Sequence, residues 1–311
     1  MGHVDIRKII FSSSLLLGIQ AAISQPFVDI INTSYQSLTT TYKDSAKSPN
    51  RTEQYFLNLT IPIKVDSQNT IVVRFYGEKL YTKFNQTYTL ASAPASTFSR
   101  PADYSLYSAL LPIGLQHETK DKKWKLLGLV MPKISYDLKD EFTASYDMQM
   151  GGYAMATYAK SPDLKIKFGL FYNREYFGNF FVPLAAVDWR VCRWFQMYGI
   201  LPNNYRFEFA PIQKKLYMGL AFKSYTRSYR LSGFYYHDYV RNNEMQVKLF
   251  ADIYLAKKFV LFGEFGRTIG YSPLVYKIGT KERSVTEQEY FPINDAFFFN
   301  VGIAYRIRFD F

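Results

Sequence analysis

The chain has 311 residues, a formal charge of +12, one cysteine, 27 tyrosines and 27 phenylalanines. A lone Cys192 excludes an internal disulfide framework and a cysteine-based zinc site. No run approaches the roughly 18 apolar residues of a transmembrane helix. The basic charges are scattered between aromatics, which argues against a nucleic-acid partner.

Mean hydropathy is −0.17, a soluble-looking value, yet 18% of the chain is aromatic. The front end explains part of this. Arg7 and Lys8 precede a mostly apolar run over residues 9–22, and Ala22-Ile23-Ser24 has the small-x-small form of a cleavage site. Residues 1–24 therefore read as a secretory signal peptide. No cysteine follows, so the signal is not of the lipoprotein type. Residues 25–311 show no linker and no internal repeat and read as a single domain.

The first strand, residues 29–42, is mostly polar. Residues 52–65 alternate clearly: Tyr55, Leu57, Leu59, Ile61, Ile63 and Val65 point one way, and Asn58, Thr60 and Lys64 the other. Such period-two alternation marks a strand with one greasy and one polar face. A tight turn at 66–69 leads to a strand with Ile71, Val73 and Phe75 outward and Arg74 and Glu78 inward. A long loop follows at 85–103. Strands at 104–117 and 124–137 flank a charged turn at 118–123, and 138–150 reads as a loop. Strands at 151–159 and 164–175 are joined by a turn at 160–163. In the second of these Leu164, Ile166, Phe168, Leu170 and Tyr172 face out, and Lys165, Lys167, Asn173 and Glu175 face in. Shorter strands follow at 181–190, 194–201 and 205–210, then long ones at 216–231, 237–255 and 259–271.

The last strand is the clearest. Phe297, Phe299, Val301, Ile303, Tyr305, Ile307, Phe309 and Phe311 alternate with Phe298, Asn300, Gly302, Ala304, Arg306, Arg308 and Asp310. A greasy face meeting lipid and a mostly polar face lining an interior is the pattern of an outer-membrane barrel strand. The whole chain predicts an all-β, antiparallel transmembrane barrel of about fourteen strands, with twelve or sixteen as alternatives. With both chain ends on the periplasmic side the strand number is even. The tight turns then fall in the periplasm and the long loops at 85–103, 138–150 and 272–295 outside, as in such barrels. Tyr305, Phe309 and Phe311 are the expected assembly signal, an amphipathic strand end for the barrel-assembly machinery.

The run Asn173-Arg174-Glu175-Tyr176-Phe177-Gly178-Asn179-Phe180-Phe181-Val182-Pro183 through Asp188-Trp189, with Lys214-Lys215-Leu216-Tyr217-Met218-Gly219, resembles a family of outer-membrane β-barrels from the Bacteroidetes known as a domain of unknown function. The resemblance covers most of the chain and is densest over 151–255. It implies the barrel and the compartment, and it transfers no functional residue.

Catalytic signals are sparse. His237 and Asp238 stand opposite Ser228 and Ser232, an arrangement that a solvated hairpin tip explains as well as a lipid-modifying enzyme does. His117 sits beside Glu118 at a strand end. Glu282, Glu287 and Glu289 share the last long loop, but no motif there has cation-loop form. No metal, cofactor or catalytic residue is assigned.

The inward charges are the functional lead: Lys64, Arg74, Glu78, Lys125, Lys133, Lys165, Lys167, Asp188, Arg190, Arg206, Glu208, Lys248, Asp252, Glu264, Arg306 and Arg308. Opposite signs on nearby strands should pair, because burying them alone is costly. The expected pairings are Arg206 and Glu208 with Asp188 and Arg190, and Lys248 and Asp252 with Glu264. Inward Trp194, Tyr198, Phe171, Tyr217, Phe250 and Phe262 should narrow the bore. The same inventory fits a narrow porin-like channel for small solutes or a closed barrel serving as scaffold or accessory subunit of an envelope complex. Outer-membrane lipid is the expected surround in either case.

Overall fold

The computed structural model describes residues 26–42, 45–83, 103–139, 141–142, 147–232, 238–277 and 295–309. The expected signal peptide, Phe311, His237 and Glu282, Glu287 and Glu289 lie outside these residues. The strands are β1 (Phe27–Tyr42), β2 (Ser45–Lys64), β3 (Asn69–Lys83), β4 (Asp103–Leu110), β5 (Ile113–Glu118), β6 (Trp124–Tyr136), β7 (Met148–Ser161), β8 (Leu164–Glu175), β9 (Gly178–Cys192), β10 (Phe195–Ile200), β11 (Asn204–Ile212), β12 (Leu216–Arg230), β13 (Asp238–Tyr254), β14 (Phe259–Lys277) and β15 (Phe297–Arg308).

Apart from β4 and β5, neighbours in the chain pair antiparallel, and β1 pairs with β15 from Phe27↔Arg308 to Leu38↔Phe298. The sheet is thus a closed ring. β4 and β5 both lie between β3 and β6, so they are two halves of one wall strand. That leaves 14 wall strands. The expected unbroken strand over 104–117 is corrected here, and proline is the reason. Pro112 and, across the ladder, Pro132 have no N–H to donate. Arg74 N bonds Pro112 O at 2.8 Å and Leu111 N bonds Pro132 O at 3.0 Å, which carries the wall across the break.

Several strands are longer than their sequence pattern. β2 starts at Ser45, β7 at Met148, β9 at Gly178, and β14 runs to Lys277. Hairpin arms go on pairing with each other where the lipid-facing alternation has stopped, and polar residues satisfy that ladder as well as apolar ones.

The outer surface is an apolar band. Val301, Ile303, Leu249 and Phe181 are 47%, 59%, 61% and 60% exposed. Aromatic contacts on it fall at two levels. Near the tight turns Trp124 meets Tyr158, Trp194 stacks on Phe209, and Phe259 meets Tyr305. Toward the long loops Tyr35 meets Tyr55, Tyr172 meets Phe181, and Phe265 stacks on Phe297. Along β15 the two levels are about 27 Å of strand apart, or about 20 Å along a tilted barrel's axis. This is a membrane-spanning surface with girdles at both interfaces.

Trp194 was expected inside but is 54% exposed. A bulge between Phe195 and Gln196 breaks the alternation at the start of β10, and the ring lies outside against Phe209 at 6.0 Å. Tyr205 keeps its outward parity yet is buried. It lies over Gly199, whose φ of 142° and contact with the Tyr205 backbone admit only glycine, and its hydroxyl donates to Val187 O at 2.5 Å. At the turn before β3, Asp66 accepts N–H bonds from Gln68 and Asn69 and one from the Asn69 amide. These bonds, the Asn69 side chain first, hold its carboxyl below the ordinary carboxylate value.

Candidate functional site: the lumen

At the tight-turn end the interior is an ionic lattice around one ring. Arg306 on β15 grips Asp29 of β1 with Nε at 2.5 Å and Nη2 at 3.1 Å, and reaches Asp252 of β13 with Nη1 at 2.6 Å. Arg206 adds a 3.4 Å contact to the same Asp252. Arg308 pairs with Glu208, which also accepts from Tyr198 at 2.7 Å and Gln196 at 2.6 Å. Phe27 lies edge-on to Tyr198 at 6.0 Å and under Arg306 at 3.8 Å. Arg206 stacks on Phe250 at 3.7 Å and Arg308 on Tyr217 at 3.4 Å. Planar guanidinium groups can pair bidentately and stack at once, which lysine cannot do.

The expected pairings are half right. Lys248 does pair with Glu264 at 2.6 Å. Asp188, however, binds Lys167 of β8 at 2.5 Å, and Arg190 turns to Asp163 in the adjacent turn. The expected pairing of Arg206 and Glu208 with them is corrected: their partners are Asp252 and Arg308. The cause is the crossing of the lumen. Side chains from β11, β13 and β15 meet in the interior, whereas the ladder neighbours are set by the wall. Lys165 and Arg190 line a cleft at the tight-turn rim with Pro26, Pro162, Asp163 and Trp189, rather than the central bore.

The long-loop end is closed differently. Arg227, Ser228, Tyr229 and Arg230, four residues in a row, are 7%, 0%, 1% and 6% exposed. In a straight wall every second residue would meet lipid. Here β12 loses its β11 neighbour beyond Asn204↔Lys223 but stays paired with β13 to Arg230↔Tyr239. The β12–β13 arm leans across the lumen and makes a parallel bridge, Arg230↔Tyr136, with β6, which is six places away round the ring of wall strands. One face of the arm, Tyr229 and Val240, packs on Leu38, Leu80, Leu106 and Phe298. The other meets the ends of β6 to β9. Ser228 donates to Glu175, Arg230 pairs with Asp147, and Ser232 bonds Asp137 with its hydroxyl and, at 3.0 Å, its N–H. Tyr239 packs on Tyr176 and Phe177. Arg227 pairs with Glu78 of β3 at 3.1 Å.

Between these two closures several inward side chains are less tightly covered. Phe56, Arg74, Tyr76, Lys223, Tyr225 and Glu264 are half-buried, whereas Gln36, Gln54 and Gln246 above and Asp252 and Arg306 below are buried. Tyr198, Tyr217, Phe250 and Phe262 point inward as expected and narrow the lower bore.

The hydrolytic arrangement is not assembled among the described residues: Ser228 and Ser232 are committed to Glu175 and Asp137. His117 is 2.9 Å from Asn69. Among the described residues no group of three metal-ligating side chains occurs. Phe27, Asp29, Lys223, Arg227, Arg230 and Glu244 also face the interior, beyond the residues expected there. A signal existed for most. Lys223 and Arg227 share parity with inward Tyr217, and Ser228 and Arg230 are polar at positions where Met218 and Leu220 face lipid.

The fold is similar to that of the COG4313 outer membrane channel from Pseudomonas putida F1, at 13% identity and a TM-score of 0.44 over 89% of this chain and 94% of that one. It is also similar to the P. putida toluene transporter TodX, at 8% identity and a TM-score of 0.44 over 97% and 95%. The translocator domain of the autotransporter NalP from Neisseria meningitidis matches at 11% identity and a TM-score of 0.39 over 94% and 92%. No curated protein matches the sequence. A family model described as Domain of unknown function (DUF6268) matches residues 20–306, and the chain belongs to that family.

Proposed function

We propose that this protein is a narrow outer-membrane channel for small solutes, shut at its outer mouth by the β12–β13 arm. The tight turns face the periplasm and the long loops the outside, as such barrels are built. The observation that carries the reading is the arm itself. It is held over a half-buried, charged section of lumen by polar contacts, Ser228–Glu175, Arg230–Asp147 and Ser232–Asp137. A permanent plug could be apolar throughout. A closure made of ion pairs and hydroxyls can be exchanged for water at modest net cost, because each such bond contributes only about 0.5–3 kcal/mol. The rival reading, a closed barrel acting as scaffold in an envelope complex, draws on Phe27 and the arginine lattice filling the other end.

Conductance in planar bilayers tests both. Bridge partners sit about 5 Å apart, within disulfide range. In a Cys192→Ser background, Tyr136→Cys with Arg230→Cys should cross-link and hold current near zero until reduced. Asp147→Asn with Ser232→Ala should lengthen openings. Identical currents in the oxidised and reduced double variant would remove the arm from gating. No current from any variant would leave the scaffold reading.

A further inference from the structure

We infer that the half-buried section of lumen beneath the β12–β13 arm binds a small, singly charged carboxylate with an apolar body, gripped by Arg74 and Lys223. The inference rests on the channel reading and names its solute class. Among the described residues neither cation makes an ion pair. Their neighbours do: Arg227 with Glu78 and Lys248 with Glu264. Arg74 Nε is buried without a hydrogen-bond partner, and its Nη1 reaches only the Tyr76 hydroxyl, at a long 3.4 Å. Lys223 Nζ stands over the rings of Tyr225 at 4.5 Å and Phe56 at 5.9 Å. Lys223 also lies in electrostatic range of Tyr76, and Phe56, under Lys223, is on β2 beside the Asn58↔Tyr76 pair of the β2–β3 ladder.

A half-buried cation with no ion-pair partner is costly, and a bound carboxylate supplies that partner with strong, charge-assisted hydrogen bonds. Glu78 and Glu264 lie in electrostatic range of Lys223, so a multiply charged anion meets more repulsion than a single carboxylate does. The ring faces of Phe56 and Tyr225 supply an apolar seat beside the charge. Tyr153, in electrostatic range of Arg74, packs on the apolar wall patch of Val72, Leu129 and Met131. A solute with an acid end and an aromatic or aliphatic body matches that division.

The test uses the full barrel in detergent micelles, titrated calorimetrically with sodium benzoate and, as an uncharged analogue, benzyl alcohol. Benzoate should bind, and benzyl alcohol at least about tenfold more weakly. Lys223→Gln and Arg74→Gln should each weaken benzoate about 10–100-fold, the scale of one hydrogen bond to a charged group. Lys223→Arg should stay near wild type. Equal binding of the alcohol, unchanged binding in glutamine variants whose heat-modifiable gel mobility shows a folded barrel, or no benzoate binding to the wild type would each overturn the site. Were a glutamine variant to misfold, the acid–alcohol comparison on the wild type decides. Current that ignores benzoate, with no heat of binding, keeps the channel and removes the site. Benzoate binding without current does the reverse.

Discussion

Asn300 and Val301 are adjacent and live in different solvents. Val301 is 47% exposed on the lipid face, and Asn300 is 7% exposed, donating to Glu264 at 2.8 Å. Val301→Arg should cost about 2–4 kcal/mol of barrel stability, the midplane scale for arginine on a lipid face. Asn300→Arg places its charge beside Glu264 and should cost much less, read as urea midpoints of the folded band. Equal losses would put the register out by one residue. Next along the strand, Gly302 is required by packing. A Cβ there would come within 2.4 Å of both Phe262 Cζ and Thr33 O, so the inward ring of Phe262 crosses β15 only because no side chain is present.

At the scale of elements, the seam between β1 and β15 closes the ring. Phe309 does not stand out as a membrane anchor. It is buried against Val28, Ile30 and Ile307 on the seam, and its N–H bonds Pro26 O at 2.8 Å. Tyr305 meets Phe259 at 5.3 Å and lies under Lys258 at 5.7 Å, the place of an interface residue. We propose that the strand end is also read by the assembly machinery before the seam closes, through strand addition at an open edge. Deleting Phe311 should then lower the assembled yield in cells far more than the melting temperature of the barrel that does form. A parallel fall in both would make the residue a stability anchor only. The β12–β13 arm is the other element with a choice of neighbours. It exists because β10 and β11 are short, 6 and 9 residues, leaving β12 beyond Lys223 without its β11 neighbour and with an edge to offer to β6.

For the whole molecule, the asymmetry of the connections sets the orientation proposed above. Single cysteines at Lys257, in the turn between β13 and β14, and at Lys281, between β14 and β15, in a Cys192→Ser background report it directly. On intact cells an impermeant maleimide should label position 281 and spare 257. Preferential labelling at 257 would invert the barrel. In that proposed orientation the lattice around Phe27 falls at the periplasmic end and the arm at the outer end.

The alternation of β15, of β8 and of the inner half of β2 was legible from residues alone, because lipid on one side and polar lumen on the other impose period two on every wall strand. That sufficed for an antiparallel barrel of about fourteen strands, and it placed Lys167, Asp188, Arg206, Glu208, Lys248, Asp252, Glu264, Arg306 and Arg308 on the polar face. Parity names a side and no partner. Which carboxylate each cation meets depends on distances across the bore, and there Asp252 lies nearer Arg206 and Arg306 than Asp188 lies to Arg206. Trp194 escaped because one bulge reverses the alternation, and a bulge leaves no mark in composition. The arm escaped because its lipid-parity residues, Ser228 and Arg230, are covered by strands far away in the ring. The local pattern along the chain determined the wall; only the closing of that wall into a ring decided what meets inside it.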